Sequence, residues 1–78
     1  MKTFNDLEIG DCIYTISRQT LLKFEIKDIV KYPMYVDFIY GESLFEAIYI
    51  PKDFLQQNQL CNVFADINAI LEYTNENI

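Results

Sequence analysis

The chain has 78 residues, enough for one small domain whose core is marginal unless it is unusually apolar or shared with a partner. Its hydrophobic fraction is 51%, its aromatic fraction is 15% and entirely Phe and Tyr, and twelve carboxylates outweigh six basic residues for a net charge of −6. That sign repels phosphate backbones and argues against nucleic acid as a partner, and the lack of histidine removes the side chain best suited to proton transfer near neutral pH.

The first residues, Phe4 to Glu8, read as a short turn leading into Gly10, whose missing side chain permits a tight reversal before a strand over Cys12 to Ile16. Ser17-Arg18-Gln19-Thr20 is a polar loop. Leu21 to Ile29 then alternates, with Leu22, Phe24 and Ile26 on one face and Lys23, Glu25 and Lys27 on the other, the period of a half-buried antiparallel strand. Lys31-Tyr32-Pro33 breaks that pattern because proline cannot donate to a ladder.

Met34 to Tyr40 and Ser43 to Ile50 follow as two strands joined by Gly41-Glu42, a pair suited to a type II′ hairpin turn. The register this implies sets Tyr40 opposite Ser43, Phe38 opposite Phe45, Val36 opposite Ala47 and Met34 opposite Tyr49 on one face. The other face then pairs Ile39 with Leu44, Asp37 with Glu46 and Tyr35 with Ile48. Pro51 to Leu55 reads as a single helical turn, Gln56 to Gln59 as a polar loop, and Leu60 to Ala65 as a fifth strand. Asp66 caps a closing helix over about 67–74 with Ile67, Ile70, Leu71 and Thr74 on one stripe, and Asn75 to Ile78 are expected to fray.

These elements predict a single mainly-β domain spanning 1–78: a small, strongly bent, five-stranded antiparallel barrel with a short C-terminal α-helix. No apolar run approaches the roughly 18 residues that cross a bilayer, and Met1-Lys2 is followed by Thr3-Phe4-Asn5-Asp6, not by an apolar leader. A bacterial host cytoplasm is the expected location. Cys12 and Cys61 are expected there as buried, reduced thiols, a bridge between them being the lesser alternative.

Catalysis finds little support in the residues. Neither cysteine has a base or cation beside it to lower its pKa, two Cys without His do not complete a zinc site, and two glycines make no phosphate-cradling loop. No catalytic residue, metal ligand or cofactor is therefore assigned. The paired carboxylates Asp37 and Glu46, ringed by Tyr35, Ile39, Leu44 and Ile48, form the candidate protein-binding patch: apolar anchors around a negative centre that receives a partner Lys or Arg. Two other readings stay open, a weak hard-cation site and a face simply covered by Ile67, Ile70 and Leu71 of the terminal helix, with the carboxylates at its rim beside Lys23 or Lys27.

Four segments carry a resemblance: Gly10-Asp11-Cys12-Ile13-Tyr14, Lys23-Phe24-Glu25-Ile26, Ile50-Pro51-Lys52-Asp53-Phe54 and Val63-Phe64-Ala65-Asp66. Together they are similar to the small Src-homology-3-like barrel proteins of bacteriophages and mobile elements. The likeness covers most of the chain through short structural motifs. It implies a binder, a class that includes inhibitors of host defence systems, and implies no particular target. The expected function is thus a non-enzymatic module that occupies the surface of a host protein or of its own copies, as a homo-oligomer. A nucleotide signal sequestered between subunits, with Tyr stacking and repeated Arg18 or lysine contacts, is the alternative, and a virion or housekeeping accessory subunit a further one.

Overall fold

The computed structural model describes residues 1–76. After a 3-10 turn at Phe4–Asp6, seven strands follow: β1 (Cys12–Ser17), β2 (Thr20–Glu25), β3 (Asp28–Lys31), β4 (Tyr35–Ile39), β5 (Ala47–Pro51), β6 (Gln59–Leu60) and β7 (Val63–Phe64). A second 3-10 turn at Lys52–Phe54 separates β5 from β6, and α1 (Ile67–Glu76) closes the fold. The strands form two antiparallel sheets, one in the order β2-β1-β7-β6 and the other β3-β4-β5. The fold is mainly β with one short C-terminal helix, as expected, but where a strongly bent five-stranded barrel was expected the described residues form seven strands in two sheets and no closed barrel.

Two local events account for the extra strands. The alternation of Leu21 to Ile29 is cut at Ile26-Lys27, where the chain leaves the first sheet for the second. The Ile26 N–H donates to the Asp11 carbonyl at 2.8 Å, and the next N–H, of Lys27, donates to Ile39 across the gap at 2.7 Å. Leu60 to Ala65 is likewise no single strand: it folds on itself at Cys61-Asn62, pairing Leu60 with Val63 and Gln59 with Phe64. Cys61 takes φ +54° there, and the Asn62 amide anchors the turn by donating to the Ile16 carbonyl at 2.8 Å.

The loop between β1 and β2 is a two-residue hairpin turn in which both Arg18 (φ 51°) and Gln19 (φ 65°) are left-handed, the combination that matches the twist of flanking strands. Gly10, at φ +97°, makes the entry turn before β1, and Asp11 braces it by accepting the Glu8 N–H at 2.9 Å.

The main core lies between the sheets, where Phe4, Ile13, Ile26, Val36, Phe38 and Ile50 are all buried. A smaller cluster forms on the other side of the first sheet, where Phe64, Ala69 and Ile70 pack with Tyr14, Ile16 and Tyr73. Strand alternation explains the split, since β1 sends Ile13 to one cluster and Tyr14 and Ile16 to the other. The helix therefore sits on the first sheet. Its buried stripe runs through Ala69, Ile70 and Tyr73, and Ile67 and Leu71, expected on that stripe, are exposed. Asp66 caps it as expected, accepting the Asn68 N–H at 2.8 Å. The helix continues to Glu76, past the expected end near Thr74, so Asn75 and Glu76, expected to fray, belong to α1, and residues 77–78 lie outside the described residues.

Candidate functional site

The β4–β5 pairing decides which side chains share the outer face of the second sheet. Phe38 faces Ile48, Val36 faces Ile50, Asp37 faces Tyr49, Ile39 faces Ala47 and Tyr35 faces Pro51. This register departs by three residues from the one expected of a Gly41-Glu42 turn. An odd slip inverts every side chain of β5. The expected pairs Asp37–Glu46, Tyr35–Ile48 and Ile39–Leu44 do not form.

Burial selects the observed register. It turns Ile48 and Ile50 inward against Phe38 and Val36, whereas the expected one would have placed the smaller Ala47 and the polar-tipped Tyr49 in the core. The residues 40–46 become a loop closed by Glu46, whose carbonyl accepts the N–H groups of Tyr40 at 2.9 Å and Gly41 at 3.2 Å. Gly41 is required there because a side chain at its position would overlap the Glu46 side chain.

Of the six residues expected to form the patch, the structure gathers three. Tyr35, Asp37 and Leu44 line a groove of about 620 Å³ together with Met34, Phe45, Ala47, Tyr49 and Pro51. Ile39 shares the outward register of Asp37 yet is buried, outside both core clusters. Glu46 serves the loop, and Ile48 packs inward on the main core. The residues missed, Met34, Phe45 and Tyr49, had been set on the opposite face of the hairpin. The signal that could have found them is the choice between Ala47/Tyr49 and Ile48/Ile50 as the inward pair of β5.

The groove has an aromatic wall. Tyr35 stacks on Tyr32 at a centroid distance of 4.8 Å and meets Tyr49 edge-on at 5.7 Å, an arrangement that holds three rings in one bank. Ala47, small and two residues before Tyr49 on the same face of β5, leaves the depression beside Asp37, and Leu44 and Phe45 close it from the loop. Phe45 is 96% exposed, Met34 77%, Tyr49 67% and Leu44 66%. The helix does not cover this face, since its buried side chains pack with Phe64, Tyr14 and Ile16 of the first sheet.

Charge in the groove is one-sided. Asp37 is its single ionisable carboxylate, half-buried, and among the described residues no hydrogen bond or ion pair reaches that carboxylate. Lys and Arg are missing from the lining altogether. The hard-cation reading that leaned on Asp37 and Glu46 falls with their pairing.

Other carboxylates have structural work. Asp11 binds the Lys2 ammonium at 2.8 Å, and Asp66 accepts the Lys2 N–H at 2.8 Å besides capping α1. The Lys2 side chain and the Glu8 N–H hold the Asp11 carboxyl below its usual range, and the N–H groups of Lys2 and Asn68 do the same for Asp66. Asp6 is lowered by the backbone and then the hydroxyl of Thr3, which it brackets in a capping box. The Lys2 contacts clasp the N-terminal segment onto the start of β1 and the cap of α1.

Both cysteines are free thiols. The expectation that both are buried is corrected: Cys12 is half-buried, and Cys61 is exposed because it sits at the tip of the β6–β7 turn. A second recess of about 540 Å³ lies between the N-terminal segment and the second sheet, floored by Phe4, Val36 and Phe38 of the main core, and reads as an incompletely filled seam. No helix among the described residues is long and apolar enough to cross a membrane. Compared with known proteins, the chain matches no family model, no curated protein and no solved structure.

Proposed function

We propose that this chain is a non-catalytic protein-binding module that docks a partner on the outer face of β4 and β5. The observation that carries the reading is the contiguity of Met34, Leu44, Phe45 and Tyr49, four large apolar side chains that the fold leaves mostly bare around one groove. Isolated exposed hydrophobics are ordinary, but a gathered set with aromatic anchors and a polar centre has the anatomy of an interface core. The resemblance to small phage-encoded barrels directs the search for that partner to components of bacterial defence, where occupying a surface is sufficient for inhibition.

The test is affinity capture with the wild-type chain and with Phe45→Ser and Tyr49→Ser variants, both of which leave the core untouched. A partner held by the wild type and lost by both variants is the expected result. A partner held equally by all three would place docking elsewhere. The nucleotide-sequestering alternative draws less support, because phosphate beside these rings needs cations and the groove offers a carboxylate. Arg18 stands instead at the β1–β2 turn, in a separate recess with Ile70, Tyr73 and Thr74.

A further inference from the structure

We infer that the groove recognises a guanidinium group, an arginine side chain of the partner protein, held flat against the tyrosine bank with its fork on Asp37. The inference rests on the docking reading and names the chemistry at its centre. Its first support is charge complementarity. Asp37 is a half-buried carboxylate without a partner among the described residues, in a lining that is otherwise apolar or aromatic. Leaving such a group bare in a dried interface costs more than the docking of a neutral surface returns, so the occupant must bring a positive charge or at least donors.

The second support is the shape of the surroundings. Tyr49 stands directly across the ladder from Asp37, and Tyr35 precedes Asp37 by two residues on the same face, so both rings flank the carboxylate. The two rings meet at 67° across 5.7 Å, so the strand pair that carries the acid presents ring surfaces in two orientations. A planar cation can stack on a ring face and still direct paired N–H donors at the carboxylate, a combination that suits guanidinium better than a compact ammonium. The gap above Ala47 supplies the room.

A second copy of this chain is the weaker occupant. A two-fold dimer through this face would bring Asp37 towards its own copy, with no lysine or arginine in the lining to separate the two charges. The arginine has to come from elsewhere.

The test uses the intact chain, isotopically labelled, and two short peptides, acetyl-Gly-Arg-Gly-amide and its citrulline counterpart, which keeps the shape and removes the charge. The arginine peptide is expected to shift the backbone resonances of Asp37, Ala47 and Tyr49, and the citrulline peptide to bind at least about tenfold more weakly. Asp37→Asn, nearly isosteric and checked for an unchanged amide spectrum, is expected to lose the arginine preference by a similar factor, and Tyr49→Leu to weaken arginine binding while leaving the chain folded. Equal binding of the two peptides, equal binding of a lysine peptide, an unaffected Asp37→Asn variant, or no response at the groove would each overturn the assignment. Should the partner captured above be lost with Phe45→Ser but kept with Asp37→Asn, the docking face stands and the guanidinium does not.

Discussion

Leucine substitutions at Phe38 and Phe45, made singly in otherwise wild-type protein, separate the observed strand register from the one a two-residue turn at Gly41-Glu42 would impose. Phe38 is 2% exposed and belongs to the main core, and Phe45 is 96% exposed in the 40–46 loop. Trimming a buried Phe to Leu removes volume that the two sheets cannot fully reclaim and costs about 1–2 kcal/mol. A domain of this length holds roughly 4–12 kcal/mol in all, so Phe38→Leu is expected to keep the fold and lower its melting temperature by about 4–16 °C. Phe45→Leu changes nothing packed and is expected to stay within about 0.5 kcal/mol of wild type. Urea unfolding followed by far-ultraviolet circular dichroism reads both, and a double-mutant cycle sharpens the result. Phe38 should couple to its cross-strand neighbour Ile48 by roughly 0.5–3 kcal/mol and to Phe45 not at all. Equal losses at positions 38 and 45, or coupling between them, would refute the three-residue slip and with it the placement of Tyr49 beside Asp37.

Gly41→Ala forces the new methyl into the Glu46 side chain and is expected to cost about 1–3 kcal/mol by thermal unfolding; a neutral result would mean that the 40–46 loop is not closed as described. Asp66→Ala removes the acceptor for the N–H groups of both Asn68 and Lys2, with an expected loss of about 1–2 kcal/mol and increased amide exchange at the start of α1. Asp6, Asp11 and Asp66 all bind protons more weakly folded than unfolded, so their stabilisation is complete above the ordinary value of 3.8 and drains away as pH falls through the depressed folded values. Melting temperature should therefore be flat through mildly acidic pH and fall below about pH 4, and an acid limb unchanged in the Asp11→Asn and Asp66→Asn double variant would show that other groups cause it. Replacing Arg18-Gln19 by Asn-Gly, which tolerate the two left-handed positions, should raise stability by about 1 kcal/mol in the same assay.

Much of the architecture was legible because it is written in local chemistry. Asp66 before an apolar stripe announces the helix start, Pro51 announces the turn after β5, and Gly10 marks the reversal before β1. What was hidden depends on contacts remote in sequence. The continuous alternation of Leu21 to Ile29 carries no sign that the chain changes sheets at Ile26-Lys27, because Ile26 keeps its inward direction through the change. The β1–β2 turn uses Arg18 and Gln19 in place of the usual Asn and Gly, so its tightness had no local signature. The β4–β5 register failed for a different reason. Ala47 to Ile50 is apolar on both alternations, and only the volume of the core distinguishes an Ile48/Ile50 interior from an Ala47/Tyr49 one.

That same ambiguity explains why the site was half visible. Tyr35, Asp37 and Leu44 remain on the outer face whichever way β5 is threaded, because β4 is fixed by Val36 and Phe38, and the loop carrying Leu44 has no inner place to occupy. The slip exchanges Ile48 for Tyr49 beside them and turns Glu46 away. An expected pair of repelling carboxylates is replaced by one carboxylate between rings. The exchange alters the chemistry of the face, from a doubly negative spot that two lysines or a metal could neutralise to a single charge in an apolar surround. A lone charge beside aromatic rings discriminates by shape as well as by sign, since a flat cation can stack on a ring and still reach the carboxylate. In an acidic chain whose groove lining contains no Lys or Arg, that chemistry supports the proposed arginine of a partner, and the inward turn of Ile48 and Ile50 is the packing event that creates the face.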